Sequence, residues 1–173
     1  MPNYIHNEVR FSGNQKEVDE VLEFIKNEEL GLGSIDFNKI VPIPEDEKNL
    51  YAWCIEWWGT KWNAYHQECN LLENTLFFVT ANLAAPETIY SLACKFPNIK
   101  IDYYFYSNPL ATYACRYIFQ GYDILTECIP SPFSQEMINL IFEMEGITVE
   151  ELNMEYNEDI ELYEYIDGVK IKG

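Results

Sequence analysis

Four tryptophans, Trp53, Trp57, Trp58 and Trp62, crowd one short stretch beside Thr60, Lys61 and Asn63. Broad aromatic faces next to a hydroxyl, an ammonium and an amide can hold a base, a sugar or a peptide. Trp53 and Trp57 are four residues apart and so share one helical face. Trp58 and Trp62 flank a turn at Gly59. The same rings also suit a purely architectural role, as a plug over the open side of a sheet with Lys61 paired to a nearby acid, because large aromatics dominate protein cores. The residues alone leave both roles open.

Other chemistry is disfavoured. The five cysteines, Cys54, Cys69, Cys94, Cys115 and Cys128, form no CxxC pair. Only His66 and Cys69 have a metal-like spacing, and two ligands do not build a structural zinc site. The cysteines read as small, reduced core residues, and no metal or cofactor is expected. His6 and His66 are the only histidines. No nucleophile elbow surrounds a serine, and no catalytic signature surrounds a cysteine. His6 falls on the polar face of a strand and is expected to be exposed. Gly31-Leu32-Gly33 follows a helix, which is the wrong context for a dinucleotide fingerprint, and no Walker loop occurs. No catalytic residue is assigned.

Charge narrows the partner class. The 173 residues carry 29 acids and 11 bases, a formal charge of −18. Such a chain repels a phosphate backbone, so direct binding of nucleic acid is not expected. Tyr103, Tyr104, Phe105 and Tyr106 resemble the stacking surface of an RNA-binding sheet, but that mode needs basic flanks. Tyrosines facing a protein partner fit better. The charge is uneven: residues 117–169 hold thirteen acids and no Lys or Arg. That segment is either a solvated face or a surface for a basic partner. The residues assigned to such a surface are Glu143, Glu145, Glu150, Glu151, Glu155, Glu158, Asp159, Glu161 and Glu164. No run of about 18 apolar residues predicts a membrane span, and no secretion signal opens the chain, which predicts a cytoplasmic protein.

The elements that must position these residues follow from periodicity. Ile5, Asn7, Val9 and Phe11 alternate with His6, Glu8, Arg10 and Ser12, a strand with one mostly apolar face. Asn14 caps a helix carrying Val18, Val21, Leu22 and Ile25, with Gly31 and Gly33 at its end. Pro42 and Pro44 make residues 34–48 an edge or an extended loop with apolar anchors. A short helix follows, then the Gly59 turn, then loop or further helix to Asn74. Leu76–Ala81 reads as a buried strand, Pro86 opens a helix ended by Pro97, and Ile99–Phe105 alternates again. Asn108 and Pro109 form a turn, and residues 112–119 and 122–129 form a hairpin. Ser134 caps a helix bearing Met137, Leu140, Ile141 and Met144, and Thr148 with Glu151 forms a second capping box. Asp167-Gly168 marks a small terminal hairpin. The expected fold is α+β: a ferredoxin-like split βαβ domain over residues 1–130, an antiparallel sheet with helices on one face, followed by an acidic helical extension over 131–173.

Specific residues carry a resemblance. Met1-Pro2-Asn3-Tyr4 with Asn7, the segment Phe37-Asn38-Lys39-Ile40-Val41-Pro42-Ile43-Pro44, and Trp58-Gly59-Thr60-Lys61-Trp62-Asn63-Ala64 resemble the YubB-type ferredoxin-like domain family. Thr80-Ala81 before Pro86, and Phe96-Pro97, resemble its next strand-and-helix unit. The similarity spans about residues 1–125. It implies a ferredoxin-like fold without an iron–sulfur cluster, in a small protein of a phage, plasmid or other mobile element. The chain departs from the family pattern at Asn63, where Asp is frequent, and at Asn82, where Trp is common.

These readings converge on a non-enzymatic acidic interaction protein whose partner is a host protein with a basic surface. Its sharpest form is a nucleic-acid mimic that occupies the groove of a defence nuclease or CRISPR effector. The alternatives are a small-ligand or enzymatic site at Trp53, Trp57, Trp58, Thr60, Lys61, Trp62 and Asn63, and an assembly protein of the mobile element that self-associates through a sheet edge.

Overall fold

The computed structural model describes residues 3–107 and 110–166. Its centre is a six-stranded antiparallel sheet. The strands are β1 (Tyr4–Ser12), β2 (Tyr65–Asn70), β3 (Thr75–Ala81), β4 (Lys100–Ser107), β5 (Ala114–Gln120) and β6 (Asp123–Cys128), in the order β2-β3-β1-β4-β5-β6. Helix α1 (Gln15–Ile25) lies between β1 and β2 in sequence, α2 (Phe37–Ile40) and α3 (Leu50–Trp58) follow it, and α4 (Pro86–Lys95) joins β3 to β4. Helix α5 (Gln135–Glu145) and a separate hairpin, β7 (Met154–Asn157) with β8 (Leu162–Tyr165), complete the described chain. The fold is mixed α+β.

Local chemistry sets most boundaries. The Asn14 side chain accepts from Lys16 N and starts α1. The helix stops at Ile25, six residues before Gly31, because Asn27 then accepts from the backbone of Glu29 and Leu30 and folds the chain into a turn. This corrects the expected end at the glycines. Pro86 occupies the first turn of α4, where a missing N–H costs nothing. Ser134 caps α5 through Met137 N, and Gly146 ends it at φ 69°.

β1 shows why the sheet has two unlike faces. Ile5, Val9 and Phe11 point into one core with α1 to α4, beside Leu76 and Phe78 of β3 and Ile101, Tyr103 and Phe105 of β4. Asn7 shares this face and is buried. Its Nδ2 donates to Ile5 O, Phe78 O and Thr80 Oγ1, and its Oδ1 accepts from the Tyr103 hydroxyl at 2.7 Å. Tyr103 in turn accepts from Ala85 N at 3.0 Å, which ties the start of α4 to the centre of the sheet. A buried polar group is tolerable only when so satisfied.

The opposite face carries a second, smaller core: Tyr104, Ala111 and Ala114 against Met137, Ile138, Leu140 and Ile141 of α5, and Met154 of β7. Tyr104 follows Tyr103 in one strand, so strand alternation puts α5 opposite α1 to α4. The helices of residues 1–130 lie on one face, as expected for that domain; the second face is covered by α5 of the extension, whose hydrophobic residues meet outward residues of β4 and β5. The helical character expected for the extension holds only for α5, and the hairpin that follows it pairs Met154–Asn157 with Leu162–Tyr165, where the second capping box predicts a further helix. Thr148 and Glu151 do form a reciprocal capping pair, but it closes one turn that runs directly into β7. Residues 65–70, read as loop or helix, are the edge strand β2, and residues 37–40 are a helical turn inside the proline-rich stretch. The readings at Asn108-Pro109 and Asp167-Gly168 lie outside the described residues.

Candidate functional site

The tryptophan segment spends its polar groups on the chain itself. Trp58 is buried and its Nε1 donates to Val41 O at 2.9 Å. Thr60 is fully buried and clasps Ala81, donating to its O and accepting from its N. Asn63 Oδ1 accepts from Phe37 N and Ala64 N, and its Nδ2 donates to Asp36 Oδ1. These bonds fasten α2 and the β2 approach to β3. Trp53 and Trp57 stack at 6.3 Å as their spacing predicts, yet Trp53 is 9% exposed and Trp57 51%. Only Trp57, Trp62 and Tyr51 face outward, with the Lys61 ammonium over Tyr51 and Trp62.

The acids assigned to a partner surface fall into two settings. Glu143, on α5, pairs with Arg116, which also holds Asp102 through two bonds at 2.9 and 2.7 Å. Glu155, Glu158, Asp159, Glu161 and Glu164 are exposed on the β7–β8 hairpin, and Glu155 lies directly opposite Glu164. Glu150 and Glu151 are exposed in the turn before it. None of these seven has an ion pair among the described residues.

Glu145 behaves differently. It ends α5 and closes one side of a groove of about 420 Å³ on the second face of the sheet. The floor is built by cross-strand register: His6 of β1 lies between Val79 and Tyr106, and Glu8 lies between Phe77 and Tyr104. His6 and Tyr106 stack at 5.0 Å with their planes 13° apart. His6 is therefore half-buried, which corrects the exposed position expected for it. At the far side a bulge in β2 between Tyr65 and Glu68 places His66 at φ 47°, and His66 and Glu68 both line the groove. An extra residue in one strand re-aims its side chain. Gln67, beside it, turns the other way and bonds Ile35 N and O.

The electrostatics of the groove are strained. Burial raises the carboxyl of Glu145 above its ordinary range, and Glu8 adds to the shift. Burial also raises Glu8, with Asp102 and Glu73 adding to it and Arg10, at 2.9 Å, opposing it. Burial lowers the His6 imidazole, which keeps it neutral at neutral pH. Tyr104 is 1% exposed, and its hydroxyl has no hydrogen-bond partner. Burial raises its pKa first, and the charges of Glu145 and Glu8 act on it as well. Half-buried carboxylates that repel one another gain from a cation placed between them. Among the described residues, no group of three or more His, Cys, Asp or Glu is placed to hold a metal ion. Burial pushes the Cys115 thiol up to about 12 and raises Cys54, so neither is poised as a thiolate.

Part of this site was within reach of the sequence. Alternation in β1 puts His6 and Glu8 on one face, and the Tyr103–Tyr106 run must send two rings to each side. That Glu145 comes to meet them was not readable, because it depends on how α5 docks. Comparison of the chain with protein-family models, curated proteins and solved structures finds no match.

Proposed function

We propose that the protein is a non-enzymatic acidic interaction module that binds a basic surface on another protein. The observation that carries this reading is the β7–β8 hairpin. Five exposed carboxylates project from it, and two of them, Glu155 and Glu164, sit directly opposite each other. Like charges in that position destabilise a hairpin. A surface that tolerates this cost gains most when a cationic partner covers it, and long-range attraction then speeds encounter. The order β2-β3-β1-β4, with α1 and α4 as crossovers, supports reading the first four strands as a ferredoxin-like split βαβ unit. Together with the resemblance at residues 1–125 this favours a mobile-element protein whose partner is a host nucleic-acid-binding protein, with the acidic hairpin and the Glu150–Glu151 turn before it standing in for a phosphate backbone.

The test is an affinity capture from bacterial lysate, eluted stepwise with salt. The expected result is a basic nucleic-acid-binding protein that is retained by the wild-type chain and lost from a variant with Glu155, Glu158, Asp159, Glu161 and Glu164 changed to Lys. Undiminished retention by that variant overturns the reading. A ligand site at the tryptophan segment is less favoured, since Trp58, Thr60 and Asn63 are already bonded within the chain.

A further inference from the structure

The geometry points to the groove between β1, β3, β4 and the end of α5 as a socket for an arginine side chain of the protein partner. This deepens the proposed function and rests on it for the existence of a basic partner. The socket itself is argued from separate residues.

Two features select the occupant. The first is charge. Glu8, Glu68 and Glu145 line the groove, and Arg10, bonded to Glu8 Oε1, is the base beside them. Glu8 and Glu145 are half-buried and come from different elements, so they approach a shared ligand from two directions. The second is shape. The near-parallel His6–Tyr106 stack and the Phe77 ring give flat aromatic walls. A planar guanidinium stacks on such faces, while an ammonium is a compact and strongly hydrated charge. A guanidinium carries five N–H donors in a rigid fork and can serve the two carboxylates together. The Tyr104 hydroxyl, buried without a partner and next to Glu8 in the β1–β4 register, lies outside the groove lining and takes no part in the contact. A neutral His6 adds no competing positive charge.

The groove is also distinct from the hairpin in what it offers. Hairpin carboxylates are exposed and act at a distance, so salt screens them. The groove holds Glu8 and Glu145 in a half-buried, aromatic setting where a contact is short-ranged and specific.

The experiment measures binding of three short peptides by calorimetry at low and raised salt. They share one sequence and differ only at the basic positions, with arginine, lysine or the neutral arginine isostere citrulline. Two variants are compared with the wild type: Glu8→Gln with Glu145→Gln, and the five-residue hairpin reversal. The expected result is that arginine binds at least about fivefold tighter than lysine, that citrulline does not bind, and that the double Gln variant loses about tenfold or more for arginine and most of the arginine preference. The hairpin reversal should weaken arginine and lysine alike while keeping their ratio. Aromatic NMR signals of His6 and Tyr106 should shift with the arginine peptide.

If the double Gln variant binds as the wild type does, or citrulline binds as well as arginine, the socket is refuted. A refuted socket with binding still lost on hairpin reversal leaves the proposed function standing. Loss confined to the double Gln variant keeps the socket and removes the hairpin reading. A variant with Lys170→Gln and Lys172→Gln tests the chain's own basic end. If arginine-peptide affinity rises in it, those lysines are the occupant and the proposal is overturned.

Discussion

The two faces of one sheet solve the same problem in opposite ways. On the inner face a polar side chain sits in the middle of the core, and every one of its groups is used. Asn7 donates to Ile5, Phe78 and Thr80 and accepts from Tyr103. On the outer face, Tyr104 is equally buried and its hydroxyl has no partner. Glu8 and Glu145 carry raised pKa values there. The inner network fixes architecture. The outer face, covered by α5 at one end and open at the other, keeps groups whose needs the chain does not meet. Unmet needs concentrated beside a groove are where binding is expected.

The sharpest break of this contrast is a paired truncation. Phe78 is buried on the inner face and Phe77 is 40% exposed on the outer one. Phe78→Ala should cost about 3–5 kcal/mol in denaturant unfolding, as for large-to-small core changes. Phe77→Ala should cost less than about 1 kcal/mol. Equal costs would erase the distinction between the faces.

A smaller effect separates the two adjacent tyrosines. Tyr103→Phe strands Asn7 Oδ1 and Ala85 N and should destabilise by about 1–3 kcal/mol. Tyr104→Phe removes a hydroxyl that bonds nothing and should be neutral or slightly stabilising. A loss at Tyr104 as large as at Tyr103 would mean that its hydroxyl is satisfied after all. Thr60→Val tests the tryptophan segment on the same scale. It removes the clasp on Ala81 and should cost about 1–2 kcal/mol, with no effect on partner capture if the segment serves the fold.

The smallest effect is a pH dependence. The folded pKa of Glu145 lies above its ordinary value of 4.5. The folded chain therefore keeps a proton that the unfolded chain releases. Its contribution to stability is full below the unfolded pKa and is lost as pH rises through the folded one. Glu145→Gln should raise the thermal midpoint at pH 7 slightly and show no gain at about pH 4. Tyr104, Tyr106, Glu8 and His6 face it from β1 and β4, so the same profile in a Glu8→Gln background should flatten further. A gain that is largest in acid would reverse the sign and contradict the burial argument.

Much of the skeleton was legible because its causes are local. Alternation in β1 and β4, the apolar run of β3, the caps at Asn14 and Ser134, Pro86 in α4 and the 120–123 hairpin turn each depend on a few neighbouring residues. β2 was missed because its pattern is interrupted: the bulge at His66 and Gln67 adds a residue and breaks the period of two. As an edge strand it pairs with β3 alone. The nine acids stood in one list, and sequence alone could not separate Glu143, bound to Arg116, and Glu145, lining a groove, from the exposed hairpin.

The sequence by itself determined the acidic surface, the strand periods and an inner face rich in apolar residues, because composition and periodicity are properties of the chain. Only the tertiary structure decided that Asn7 meets Tyr103 across 96 residues, that α5 settles on the second face, and that Glu145 arrives beside Glu8. Those contacts join segments far apart in sequence. They are selected by which apolar faces must be covered once the sheet exists, and a local pattern does not record that choice.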